Sequence, residues 1–429
     1  MLTLRCGKAA APETASPEAA PETALLGACC LFLSTVEYLI PKPLPFMRLG
    51  LANLPLLLAL DGFPWKPYVL LVLIKILGQG LLSGTLFSYV FLFSLAGTSA
   101  SAGVMYLLRR GMGEKRTGFT GLSVLGALVS NGIQLLLARF FVFGGGIRFL
   151  VPPFLAAGVA SGFALGLFAE AFTARSVWYQ SRLRKGAHRG LEHEPEEIAA
   201  DGGAQAEPRR TLRRKLRRKL RRKLRRNHWE GLFVPEDLFA AGLMMTLAFL
   251  LTPSTAGRAG QFLLFALYAW LSGGKIRPLA VFMVMLGVVA CNLIVPYGKV
   301  LAEIGAFKIT QGSLFGGIRK AITLEGLFML SGAVIHSRLK PPGTLGALVG
   351  ESFRLLRRMS PRIPSLKGLL SGGAEGIDRV LWELSAEQES GGGEPGAETA
   401  PKRTPRSILR IAALVLPILA LCLLPEAAW

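Results

Sequence analysis

The chain has 429 residues, 51% of them hydrophobic and only 18% charged, and its 49 Lys and Arg against 27 Asp and Glu give a net charge of +22. A soluble domain of this size would be about a quarter charged. Here several windows of about 20 residues carry almost no charge, which is the length that crosses a hydrocarbon core, so the composition excludes a soluble enzyme and specifies a polytopic membrane protein. A basic excess also suits nucleic acid. However, thirteen of the basic residues fall in one run, Arg209–Arg226, and most others sit at the ends of apolar stretches. The positive-inside bias accounts for that pattern, and no nucleic-acid partner is expected.

In chain order, residues 1–23 read as a disordered leader, rich in Ala, Pro and Glu from residue 8 onward. Leu26-Gly27-Ala28-Cys29 superficially matches a lipoprotein cleavage box, but the apolar stretch follows the cysteine instead of preceding it, which argues against lipidation. Cys6, Cys29, Cys30, Cys291 and Cys422 show no metal-ligand spacing and read as small core residues. Apolar runs at 24–40, 49–60, 66–83, 86–108, 118–143 and 147–172 predict six spans within a membrane domain over 24–175. The 49–60 run is too short for a straight crossing, and reads as either a tilted short span or a broken helix lining a cavity. Arg109, Arg110, Lys115 and Arg116 mark one cytoplasmic loop and Arg175 through Lys185 the next. Span parity then puts the N-terminus on the cytoplasmic side as well.

Polar residues at membrane depth are the best pointers to function. They are Glu37, Asn53, Lys75, Gln79, Asn131 and Gln134. A charge at a helix centre costs on the order of 2–3 kcal/mol, so each should face the bundle interior or water. Asn131 and Gln134 share one helical face, Lys75 and Gln79 another. Together they outline a substrate pocket with Arg48 and Asn53 at its mouth; a Lys75–Glu37 ion pair that only holds the bundle is the alternative. Two small-residue stripes, Ala24 with Ala28 and Gly158 with Gly162 and Gly166, allow close helix approach. Each is either a docking face or ordinary packing within the bundle.

At Met47-Arg48-Leu49-Gly50-Leu51-Ala52-Asn53 the chain resembles the K-L-G-L-A-N signature of the Gx transporter family, also described as heptaprenyl diphosphate synthase component I. Gly84-Thr85-Leu86-Phe87-Ser88, Ser94-Leu95-Ala96-Gly97 and Asn131-Gly132-Ile133-Gln134 extend the resemblance over about 24–172, with Ser130 standing where a His is expected. The resemblance implies a six-helix substrate-capture component of an energy-coupling-factor transporter. In that class the small-residue stripe on the first helix, here Ala24 and Ala28, is the docking face.

Residues 176–231 read as a cytoplasmic linker. Its basic run repeats a four-residue unit and is suited to anionic lipid at the inner leaflet. Apolar runs resume at 236–252, 260–272, 276–296 and 312–335, giving a second membrane domain over 232–340. A polar region over 341–407 holds an amphipathic segment, Leu345 to Met359, with Arg354, Arg357 and Arg358, then a helical piece from Ile377 to Leu384. A last span and tail occupy 408–429. This layout, with Ile309-Thr310-Gln311-Gly312-Ser313-Leu314 and its continuation through Gly317-Ile318-Arg319-Lys320-Ala321 to Leu330-Ser331, resembles the T component of the same class. The resemblance implies that the three arginines couple to ABC-type ATPase partners, although the usual small-Arg-small setting is missing. The alternative is an amphipathic stretch resting on the membrane surface.

The expected fold is all-α, a polytopic transmembrane bundle of two membrane modules joined by a basic cytoplasmic linker, in the cytoplasmic membrane. Its expected partners are a small-molecule substrate and ATPase subunits. The chain has no G-x-x-x-x-G-K-[ST] loop to bind nucleotide. Prenyl diphosphate chemistry needs clustered carboxylates to hold Mg²⁺. Asp61, Asp201, Asp237 and Asp378 stand far apart in the sequence, so no catalytic residue, metal or cofactor is expected, and a non-catalytic accessory role in that pathway is the second reading.

Overall fold

The computed structural model describes residues 20–39, 50–113, 116–184, 233–273, 278–304, 307–335, 343–362, 377–378, 381–386 and 405–423. The leader, the basic run and Arg48 lie outside them. The described chain is almost wholly helical, as the apolar runs require: a segment in lipid must satisfy its backbone polar groups internally. The first half contains α1 (Ala20–Leu39), a 3₁₀ turn (Leu51–Asn53), α2 (Leu54–Gly62), α3 (Trp65–Ser83), α4 (Tyr89–Met112), α5 (Phe119–Ala138) and α6 (Val151–Arg175). The second half contains α7 (Pro235–Leu251), α8 (Thr255–Leu271), α9 (Pro278–Leu293), α10 (Gln311–Val334), α11 (Gly343–Arg362) and α12 (Pro405–Cys422). The segments 65–83, 89–112, 119–149 and 151–175 are long and apolar enough to cross a membrane.

Local chemistry sets the boundaries. Gly84 ends α3 in the left-handed region at φ 66, its N–H closing onto Gly80 and Leu81, a conformation that costs glycine nothing. Pro55 and Pro152 sit in the first turns of α2 and α6, where a missing N–H is harmless. Ser254 caps α8 by accepting from the Gly257 N–H at 3.3 Å. α2 and its 3₁₀ turn together rise only about 18 Å. Leu56, Leu57, Leu58, Ala59 and Leu60 are all buried, so this half-length helix is surrounded by protein and cannot be a lipid-facing span.

Two features depart from the sequence reading. Val300–Ile304 pairs antiparallel with Phe307–Thr310, forming a hairpin (β1, β2) between α9 and α10 where no strand was expected. The linker was expected to begin at residue 176, yet Trp178, Tyr179 and Leu183 are buried in the core of the first bundle. Two aromatic rings and a leucine so close to the end of α6 bury too much apolar surface to be left in water.

The three glycines of α6 pack within the first bundle, the more ordinary of their two readings. A side-chain carbon at Gly162 would meet Ala127 at 3.0 Å and the Ser123 carbonyl at 3.1 Å, and one at Gly166 would fall on the Thr120 backbone. Gly158 leaves room for the Asn131 amide. Ala24 and Ala28 behave differently: they are fully buried and receive α11 from the second half.

The two halves also meet along a seam. Phe93, Leu135, Ala138, Val142 and Phe154 cluster with Val288 of α9 and Ala321 of α10. Asn292 Nδ2 donates to the Val142 carbonyl at 3.0 Å, while the Phe87 N–H donates to Ser331 Oγ at 3.1 Å. The loops that supply Phe87 and Val142 lie at the same end of the first bundle. On α10 the contacts with the first bundle include Ala321 and Ser331, about 15 Å apart along that helix. One end of the first bundle is therefore laid against the flank of α10.

Replacing Gly166 by Leu is expected to force α5 and α6 apart and lower stability by about 1–3 kcal/mol. Gly132→Ala, in open space on α5, should be neutral or slightly stabilising. Thermal unfolding in detergent, followed by tryptophan fluorescence, distinguishes the two.

Candidate functional site

Six of the seven residues expected at the substrate pocket line one cavity. Glu37, Asn53, Lys75, Gln79, Asn131 and Gln134 surround about 450 Å³ of narrow, atom-free space together with Thr98, Ser130, Gly158 and Ser161. The seventh, Arg48, lies outside the described residues. Helical spacing explains the convergence. Lys75 and Gln79 project from one face of α3, while Ser130, Asn131 and Gln134 project from one face of α5. Between them stand Asn53, at the start of α2, and Glu37, near the end of α1.

Most of these polar groups are held by protein. The Lys75 ammonium, 3% exposed, donates to Asn53 Oδ1 and, at 3.3 Å, to Thr98 Oγ1. Gln134 Nε2 donates to Ser130 Oγ at 2.9 Å, and Asn131 Nδ2 to the Phe154 carbonyl at 3.3 Å. The serine that stands where a histidine was expected is thus the group that orients Gln134. Gly97 makes room for this pair, since a side-chain carbon there would sit 2.9 Å from Ser130 Oγ and 3.1 Å from Gln134 Nε2. The lining presents amides, hydroxyls, an ammonium and a carboxylate to one narrow space.

The opposite end of the bundle carries a network that the sequence reading missed. Arg109, placed there in a loop, is buried at the end of α4 and pairs with Asp61 at 2.7 Å, the two side chains only 6% and 8% exposed. Arg109 also donates to the Thr117 carbonyl and to Thr117 Oγ1, and its guanidinium stacks over Phe119 at 4.9 Å. Tyr179 donates its hydroxyl proton to Asp61 at 2.7 Å. Span parity offered a signal, because it puts Asp61 and Arg109 at the same end of adjacent helices. Nearby, Asp378 of the polar region accepts from Ser176 Oγ and from the Trp178 N–H at 3.1 Å, fixing that region to the end of α6.

The three candidate coupling arginines lie on α11. Val349, Ser352, Leu355, Leu356 and Met359 form its buried face, packed on α1 and α3. Ser352 Oγ donates to the Ala24 carbonyl at 3.0 Å, an approach that Gly27 permits, since a side-chain carbon there would lie 2.7 Å from that same oxygen. On the other side, Gly343, Ala347, Gly350 and Arg357 form an exposed stripe, flanked by Arg354, which pairs with Glu351 at 2.7 Å, and by half-buried Arg358. The apolar face of this amphipathic helix is spent on protein, not on a membrane surface.

Residues 26–172 match the family model of heptaprenyl diphosphate synthase component I. That span takes in nearly all of α1 through α6, so the resemblance seen at the start of α2 and in α4 and α5 holds across the first half. Residues 238–337, covering nearly all of α7 to α10, match a model described only as a domain of unknown function. No curated protein and no solved structure matched.

Removing one member of a buried ion pair leaves the other charge uncompensated. Arg109→Leu is therefore expected to cost about 3–5 kcal/mol, with much of the loss recovered in the Arg109→Leu/Asp61→Leu double variant. Chemical denaturation of the three proteins in detergent measures this.

Proposed function

We propose that the protein is a capture-and-coupling subunit of an energy-coupling-factor type uptake transporter, and not an enzyme. The observation that carries this reading is the seating of α11 on the Ala24–Gly27–Ala28 stripe of α1. A polar cavity occupies one end of the first bundle. The helix that would transmit force is packed at the other end, on the first helix of the same bundle. Small residues at the contact let the two backbones approach closely, and such an interface can slide or part without leaving large voids. The exposed stripe of α11, with Arg357 at its end, faces away from the bundle and is the surface offered to ABC-type ATPases. In this reading ATP-driven closure of the ATPases moves α11, and α11 reorients the cavity-bearing half. The broad contact between the end of the first bundle and the flank of α10 is consistent with two modules that shift against each other.

The description of the family model favours a second reading, a non-catalytic accessory role in polyprenyl diphosphate synthesis. Against catalysis by this chain, Asp61 is taken up by Arg109 and Tyr179, and Asp378 by Ser176 and Trp178. Such carboxylates are not free to hold Mg²⁺.

Affinity purification of the full chain from native membranes separates the readings. Recovery of an ABC-type ATPase, reduced at least tenfold by Arg357→Glu and by Ser352→Phe, is the expected result. Recovery of a prenyltransferase in its place, or recovery of an ATPase that neither substitution affects, would count decisively against coupling through α11.

A further inference from the structure

Beside the polar cavity lies a second narrow cleft, about 300 Å³ of atom-free volume that includes open solvent, bounded by Leu57, Ser101, Met105, Gly126 and Leu165. The two share Gly50, Asn53 and Ala127, so they form one elongated site that runs inward between α4, α5 and α6. The first part is lined by amides, hydroxyls and two ionisable groups; the lining of the second is mostly apolar.

Each part contains one buried polar atom without a hydrogen-bond partner: Gln134 Oε1 in the first and Ser101 Oγ in the second. Both residues are almost completely buried, at 3% and 2% exposure. Buried polar groups are nearly always satisfied in folded proteins, because an unsatisfied one carries its full desolvation penalty. The Gln134 N–H is already committed to Ser130, so the atom left over is an acceptor. A bare phosphate ion has no apolar part to fill the second space, and a wholly apolar molecule has no donor for Gln134 Oε1.

We infer that the elongated site takes a small amphiphile whose polar head donates an N–H or O–H to Gln134 Oε1 and whose slender, mostly apolar part enters the second space and carries a hydrogen-bonding atom to Ser101 Oγ. The inference rests on the capture reading above and narrows its substrate to a class. Gly126 sets the depth, since a side-chain carbon there would lie 2.9 Å from Ser101 Oγ and 2.6 Å from Met105 Sδ, closing the second space.

The test uses the full chain in nanodiscs and equilibrium dialysis against a fixed panel. The panel holds the twenty amino acids, the common nucleosides and the water-soluble vitamins, with inorganic phosphate and farnesyl diphosphate as probes of the opposite chemistry. The expected result is retention of at least one donor-bearing member. Gln134→Met, similar in volume, should weaken that retention about tenfold, the size of effect that follows loss of a buried hydrogen bond. Gln134→Glu keeps an acceptor and should weaken it less, and Gly126→Ala should weaken it by shortening the site. Size-exclusion profiles establish that each variant is folded. Retention of a donor-bearing member that Gln134→Met leaves unchanged, or retention of only phosphate or farnesyl diphosphate, overturns this inference alone. Retention of nothing by the unaltered protein overturns the capture reading and the inference with it.

Discussion

The close approach of α11 to α1 is the contact on which the architecture depends. Two helix backbones can approach closely only where small residues line the contact. On α1 that approach is opened by Ala24, Gly27 and Ala28, and on α11 the matching residue is Ser352, whose hydroxyl reaches the Ala24 carbonyl. Leu355, Leu356 and Met359 of α11 then join the core that holds α1, α2 and α3 together. The first bundle does not complete its own core: part of it is supplied from a segment more than 300 residues later. Larger side chains on the α1 stripe would remove both the contact and the reason for α11 to hold its amphipathic face there.

Around this contact, the first half is arranged as a short rod between two polar ends. Asn53, just before α2, accepts from Lys75 inside the cavity, and Asp61, in its last turn, is gripped by Arg109 and Tyr179. The nine residues of α2 are apolar and buried over most of their length. Asp378 ties the polar region to the residues just before Tyr179. The cavity and the polar region are thus joined through one buried element and a few directional bonds, an economical route for a displacement at either end to be felt at the other.

Much of this was legible in the sequence, because hydropathy and helical periodicity are strong signals in a membrane chain. The apolar runs gave the helices to within a few residues, and the spacing of Lys75 with Gln79 and of Asn131 with Gln134 was enough to bring both pairs to one cavity. What escaped depended on long-range partners. Arg109 looked like a loop charge because its role is defined by Asp61, 48 positions earlier. Trp178 and Tyr179 looked like linker because the core that buries them is closed from elsewhere in the chain. Ser130 looked like a defect in a motif, and its use became visible only beside Gln134. The hairpin at Val300–Thr310 has no strong alternation and owes its form to antiparallel pairing between two neighbouring segments.

The α11–α1 contact is also made within a single polypeptide, and covalent connection changes what its strength must be. Segments held in one polypeptide meet at an effective concentration set by their connection, for illustration about 1 mM. An interface with an intrinsic Kd of about 0.1 mM would then be closed roughly nine-tenths of the time. A contact between separate subunits would need far higher affinity to reach the same occupancy, and would part correspondingly slowly. Connection in one chain therefore permits a joint that is nearly always made and yet opens quickly, and it fixes the two halves at equal numbers without any step of assembly.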